Sequence, residues 1–164
     1  GSLQFNPAAF CSVLTQYPLG VSTAPDLITL NFDPTNQEYA EFSFAMPKSW
    51  DEGTITFVPY WSHPTTTGTA GVVWSLRGLA CGNAENMDAA MGTEQTSTDS
   101  GATLNYLYIG PESSAITIAG SPAANNLCFF RVSRVVGNGS DTLATDARLH
   151  GVMLNITIDA NNDE

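Results

Sequence analysis

Few residues in this sequence of 164 have types and spacings that could do chemistry. The two histidines, His63 and His150, stand far apart in the sequence and beside no cluster of acids that would complete a metal site. Glu38 and Glu41 lie three positions apart on a predicted strand, so their carboxylates point to opposite faces and form no local acid–base pair. Nucleophile-elbow, Walker and dinucleotide-binding glycine motifs are absent. The sequence therefore predicts no catalytic residue and no enzyme, and a hydrolase would need carboxylates brought together by tertiary structure.

Oxygen-rich segments are the nearest approach to a metal site. The stretches "GNGSD" (137–141) and "DANNDE" (159–164) carry oxygen ligands suited to calcium, but neither has the spacing of an EF-hand loop. The cysteines, Cys11, Cys81 and Cys128, are widely spaced and form no Cys-x-x-Cys pair. We therefore expect no cofactor and no metal ligands, with calcium as the alternative, and buried thiols in preference to one disulfide.

Aromatic residues at predicted strand ends are candidates for binding sugars. Trp50 precedes one strand, Trp61 ends it, and Tyr106 and Tyr108 share a face of another. Rings with polar edges stack on sugars and tolerate water, so these four residues are the predicted glycan-binding residues. The alternative for Trp50 and Trp61 is packing under loops, whereas Trp74 is expected in the core.

The charge balance excludes some classes of partner. Sixteen acids against five bases give a net charge of −11, which repels nucleic-acid phosphates and anionic membrane surfaces. No apolar run approaches the ~18 residues of a membrane-spanning helix, so we expect no membrane insertion. The 43% of hydrophobic residues is enough for a folded core.

Alternating residues separated by turn signals predict about eight strands. They are Asp26–Phe32, Glu38–Met46, Thr54–Trp61, Gly71–Cys81, Leu104–Ile109, Ala115–Ala119, Leu127–Val136 and Ala147–Ile158. Strands this frequent leave no room for crossover helices, which predicts an all-β, antiparallel β-sandwich, most naturally a jelly roll, with an immunoglobulin-type sandwich as the alternative. Residues 83–91 are the one predicted helix. Residues 1–24 are expected to be irregular, and 25–164 to form a single domain.

Several predicted strands carry apolar residues on both faces. In Leu127–Val136, the residues Cys128, Phe130 and Val132 form a core row, which Arg134 interrupts near the expected end of that face. The opposite row is mixed, and an outer face of this kind predicts cover by a second copy of the chain. The predicted subunit-contact residues are Arg77, Leu127, Phe129, Arg131 and Val135. The alternative is cover by the chain's own loops, residues 1–24 and 82–103.

Three segments resemble a known group of proteins. The stretches "EYAEFSFAMPKSWDEGTITFVPYWSH", "VVWSLRGLACGNAENMDAAMGT" and "ITIAGSPAANNLCFFRVSRVVGNGSDTLATDARLHGVMLNITI" are similar to tail-fibre and virion-appendage-like proteins of environmental and marine bacteriophages. The resemblance implies a virion location and a non-catalytic structural or receptor-binding part, assembled as a homo-oligomer, with a trimer favoured. Its implied partners are other virion proteins and host-surface carbohydrate. The alternative function is a monomeric, calcium-dependent carbohydrate-binding domain.

Overall fold

Strands make up all the regular secondary structure in the described part of the chain. The computed structural model describes residues 27–66 and 68–159, together with the backbone of two strands nearer the N-terminus. The strands are β1 (Leu3–Gln4), β2 (Ser12–Tyr17), β3 (Leu27–Phe32), β4 (Tyr39–Ala45), β5 (Thr56–Ser62), β6 (Ala70–Cys81), β7 (Gln95–Gly101), β8 (Tyr108–Ile109), β9 (Ala119–Gly120), β10 (Leu127–Arg134) and β11 (Ala147–Asn155).

The strands form two sheets that pack face to face. The front sheet has the order β1-β4-β10-β6-β7, and the back sheet has the order β2-β3-β11-β5-β8. All pairings among these strands are antiparallel except that of β9, which runs parallel to β6 beside β7. The chain changes sheet between β3 and β4 and again between β4 and β5, so these successive strands belong to opposite sheets. The predicted antiparallel, jelly-roll-like sandwich is confirmed.

The core lies between the inner faces of the two sheets. Trp74 of the front sheet meets Phe32 of the back sheet edge to face, with ring centroids 5.1 Å apart. Cys128, Phe130 and Val132 are fully buried, which confirms the core row predicted for β10. Cys128 and Cys81 are free, buried thiols, whereas Cys11 lies outside the described residues. Within residues 27–66 and 68–159, no helix has the length and apolar character to span a bilayer.

One strand of the front sheet has a polar sequence that does not predict a strand. β7, "QTSTDSG", falls in a stretch expected to be a loop, because it shows no apolar alternation. It pairs with β6 from Leu76↔Gln95 to Ala70↔Gly101. Backbone hydrogen bonds to this apolar neighbour therefore account for the strand, which the side-chain pattern of β7 does not predict.

One other expectation about strands changes, because β1 and β2 lie in the N-terminal segment that was expected to be irregular. The segment before β10 does not form a hairpin with it, since β9 lies along the edge of β6 opposite to β10. Ile116, upstream of β9, bridges to Ile55, the residue just before β5 of the back sheet. The segment therefore crosses from one sheet to the other as a sandwich corner.

A buried arginine joins the two sheets at the end of β10. Arg134 is fully buried. Its Nε donates to Asp141 Oδ2 at 3.0 Å, and its Nη2 donates to Asp141 Oδ1 at 2.7 Å. Its Nη1 donates to the carbonyls of Phe32, at 3.1 Å, and Thr145, at 2.8 Å, and Nη2 also donates to the carbonyl of Leu143. All five N–H groups therefore have acceptors.

Arg134 is the last residue of β10, so the core row does end there as expected, and Asp141 and three carbonyls satisfy its charge inside the sandwich. Asp141, the acid of the "GNGSD" calcium candidate, also accepts the backbone N–H of Val73 at 3.1 Å. Its carboxylate is thus a structural acceptor that ties the 137–143 loop to β6.

We predict that Arg134→Met lowers the free energy of unfolding by about 3–5 kcal/mol, because it leaves the Asp141 carboxylate buried without its partner. Arg131→Met is the matched control, since Arg131 lies on the same strand but its ion pair is partly exposed. That control should cost about 0–1 kcal/mol. Urea denaturation followed by circular dichroism measures both, and equal losses would contradict the structural role of Arg134.

Candidate functional site

A row of charged side chains crosses the outer face of the front sheet. Arg131 of β10 lies opposite Arg77 of β6 on one side and Glu41 of β4 on the other. Its Nε donates to Glu41 Oε1 at 2.7 Å, and its Nη2 donates to the same oxygen. The guanidinium carbon also lies 4.0 Å from the ring centroid of Tyr39, a cation–π contact. Arg131 is therefore held in one orientation on the sheet.

This row forms part of the floor of a groove of about 630 Å³, which we call the front groove. The neighbouring row adds Leu79 and Phe129, which are paired across β6 and β10. One wall is the segment 87–91, which passes over the outer face of the sheet. The groove thus combines guanidinium, carboxylate, aromatic and aliphatic groups within one concavity.

The segment that forms this wall is not the predicted helix. Residues 83–91 contain only turns and bends, and Ala84 has a φ of 62°, which is incompatible with a right-handed helix. Glu85 Oε2 accepts the Gly82 N–H at 2.7 Å, and Asn86 Oδ1 accepts the Asp88 N–H at 2.9 Å. These side chains replace helical hydrogen bonds with local turns.

The far end of the wall is anchored to the edge of β6. The N–H of Gly92 donates to the Gly78 carbonyl at 3.0 Å. A Cβ at Gly92 would lie 2.4 Å from the Thr117 carbonyl oxygen, so this close approach requires glycine. Ser75 Oγ donates to Glu94 Oε2 at 3.0 Å just beyond. The chain's own 82–94 segment thus covers part of the outer face.

Arg77 is the least satisfied polar group of the groove. Its Nε is buried and has no hydrogen-bond partner among the described residues. Both ion pairs within the described part of the chain involve other arginines, namely Arg131 with Glu41 and Arg134 with Asp141. The Nε of this guanidinium therefore has donor capacity that no described residue uses.

The predicted subunit-contact residues have different surroundings. Leu127 is exposed, and Phe129, Arg131 and Val135 are half-buried, as is Arg77. The acid that pairs with Arg131 comes from the same chain, because the register of β4 places Glu41 beside it. The groove wall supports the alternative of cover by the chain's own loops for part of this face. Burial of the remainder by a second copy stays a prediction.

Two of the four predicted glycan-binding residues are buried. Trp50 is 1% exposed and Trp61 is 0% exposed, so neither ring presents a face on which a sugar could stack. Trp61 points inward from β5, and its Nε1 donates to Asp99 Oδ2 at 2.9 Å. Burial of these large apolar rings in the core outweighs display at a strand end.

The two tyrosines have separate roles. Tyr108 packs on Trp61, with centroids 4.9 Å apart, and its hydroxyl oxygen accepts the N–H groups of Ala102 and Thr103 at 3.0 and 2.8 Å. It therefore anchors the 102–107 loop. Tyr106 is 63% exposed, and we call this residue and the exposed apolar residues near it in the sequence, Leu104, Leu107 and Ile109, the β8 patch.

Both histidines lie on or beside the back sheet. His150 Nε2 lies 2.8 Å from Ser62 Oγ, a pairing that sequence spacing could not reveal. No carboxylate contacts this pair among the described residues, so it lacks the orienting acid of a catalytic triad. Burial lowers the pKa of His63 and of His150, and the nearby positive charge of Arg148 lowers both further.

Comparisons with known proteins add little. No protein-family model matches the sequence, and neither does any curated protein. Among solved structures, the chain is similar to that of TmCBM61, a carbohydrate-binding module, in complex with beta-1,4-galactotriose. The similarity has 12% sequence identity and a TM-score of 0.33, and covers 84% of this chain and 74% of that chain. A likeness this slight does not bear on the function of this chain.

The histidines generate a prediction about pH. The pKa values of both histidines are lowered in the folded protein from the ordinary value of 6.5. As the pH falls below 6.5, these histidines therefore bind more protons in the unfolded chain than in the folded protein. Their contribution to stability is therefore present above the unfolded pKa of 6.5 and is lost as the pH falls through the lower pKa values of the folded state. We predict that the melting temperature of a His63→Phe/His150→Gln variant falls less than that of the wild type as the pH is lowered. Thermal scans by circular dichroism measure the two slopes, and identical slopes would contradict the assignment.

Proposed function

We propose that this protein is a non-catalytic virion module that binds a host-surface glycan in the front groove. The observation that carries the proposal is the juxtaposition of Arg131, Glu41 and Phe129 in one concavity. A guanidinium and a carboxylate offer donors and acceptors for neighbouring sugar hydroxyls, and an aromatic ring packs against the apolar face of a sugar. The resemblance to phage appendage proteins supports the virion assignment.

The state of the groove carboxylate supports binding over catalysis. Glycoside hydrolysis requires two carboxyl groups on opposite sides of the scissile bond, one of which delivers a proton. Glu41 instead accepts two N–H donations from Arg131. That geometry holds an acceptor in place for hydrogen bonding to a ligand.

Assembly would strengthen such binding. In a homotrimer, three grooves on one particle raise the effective concentration, so weak individual contacts suffice for adhesion. We propose the β8 patch as the subunit contact, in place of the front-sheet residues that the sequence predicted for that role. Residues 102–111 contain no charged side chain, so copies that each carry a net charge of −11 can meet there without bringing like charges into contact. The front groove then stays open to the glycan.

We predict that Phe129→Ala weakens glycan binding by about 5- to 10-fold, the size expected for the loss of one aromatic contact. A glycan array identifies the ligand, and titration of that soluble glycan over sparsely immobilised protein then gives a monovalent affinity. Phe44→Ala is the matched control, because this ring is exposed on β4 outside the groove.

Two results would contradict the groove as the glycan site. One is an equal loss of affinity in the Phe44 and Phe129 variants. The other is binding that disappears with a calcium chelator and is unaffected by Phe129→Ala, which would favour the calcium-dependent alternative.

We predict a trimer of the 17.4 kDa chain by light scattering at low micromolar concentration. Leu107→Asp/Ile109→Asp should yield monomers, because it places charge in the β8 patch. Leu127→Asp is the control on the front sheet and should leave the trimer intact. A monomeric wild type would contradict assembly, and disruption by Leu127→Asp alone would move the contact to the front sheet.

A further inference from the structure

We infer that the front groove selects an acidic sugar and that Arg77 binds its carboxylate. This inference rests on the proposed function and adds the chemical class of the ligand. It begins from the two arginines, Arg77 and Arg131, that are direct neighbours across β6 and β10. Like charges opposite each other on a sheet are unfavourable unless they are compensated. Glu41 compensates Arg131, whereas no residue of the described chain pairs with Arg77.

The Arg77 side chain is half-buried on the outer face of the front sheet. Its Nε is buried without a hydrogen-bond partner among the described residues, and a buried donor left in that state is costly. A ligand carboxylate fits the need, because a guanidinium fork binds it through two parallel hydrogen bonds. A neutral sugar offers hydroxyls, which leave the positive charge uncompensated.

Two acids near the groove do not supply that charge. Asp88 is an exposed residue of the wall and forms no ion pair with Arg77. Glu94 accepts the hydroxyl hydrogen of Ser75, two residues before Arg77 on the same face. Because the chain as a whole is acidic, long-range attraction would not bring an anion here. Selection must therefore come from the fixed geometry of Arg77 and its neighbours.

Matched pairs of glycans test this inference. An array displays uronate oligosaccharides beside their methyl esters, and sialyllactose beside lactose, so that each pair compares an acidic glycan with a neutral counterpart. The tightest acidic ligand and its neutral counterpart are then titrated against the wild type, Arg77→Gln and Lys48→Gln. The Lys48 variant changes the net charge by the same amount as the Arg77 variant, but outside the groove.

The wild type should prefer the acidic member by at least about 10-fold, the size of one charge-assisted hydrogen-bond pair. Arg77→Gln should abolish the preference by weakening the acidic ligand alone, and Lys48→Gln should retain it. Equal binding of acidic and neutral members, or equal effects of the two variants, would overturn the inference and leave glycan binding intact. Binding to no glycan at all would overturn the proposed function as well.

Discussion

The buried guanidinium of Arg134 is the constraint on which the rest of the structure depends. It joins the end of β10 in the front sheet to the Phe32 carbonyl in the back sheet and to the 141–145 loop. A charge in a low-dielectric interior is tolerated only when all its donors are matched, so the surrounding backbone can adopt few other arrangements. Because side chains alternate along a strand, inward placement of Arg134 also directs Arg131 outward.

The front groove depends on this placement of β10. Arg131 meets Glu41 and Arg77 only because β10 lies between β4 and β6 in a defined register. A shift of one residue would send Arg131 into the core and break the row. The wall at 87–91 then closes over a floor drawn from three distant parts of the chain. The polar groups of the groove therefore lie on paired strands of one sheet, which keeps their orientation fixed.

For an aromatic residue at a strand end, burial in the core competes with exposure as a sugar-binding surface. Trp50 and Trp61 stand at strand ends in the sequence, a position compatible with both a sugar platform and the core. Their burial, and the support that Tyr108 gives to Trp61 and the 102–107 loop, show that the rings mainly stabilise the sandwich. The β8 patch is the exposed remainder of that region. Phe129, whose contact with a second copy stays a prediction, is the aromatic residue that lines the front groove.

Sequence alone determined the sandwich class, most of the long strands and the core row Cys128, Phe130 and Val132, because alternation along one strand is a local property. Tertiary structure alone decided which residues meet across strands, such as Glu41 with Arg131, since register depends on pairing between segments far apart in sequence. Tertiary structure also decided that the polar segment β7 is a strand, because β6 supplies its hydrogen-bonding partners. Residues 83–91 form turns and not a helix, because Glu85 and Asn86 accept hydrogen bonds from the local backbone. Patterns of side chains report burial, but they do not report which partner satisfies a backbone group or a buried charge.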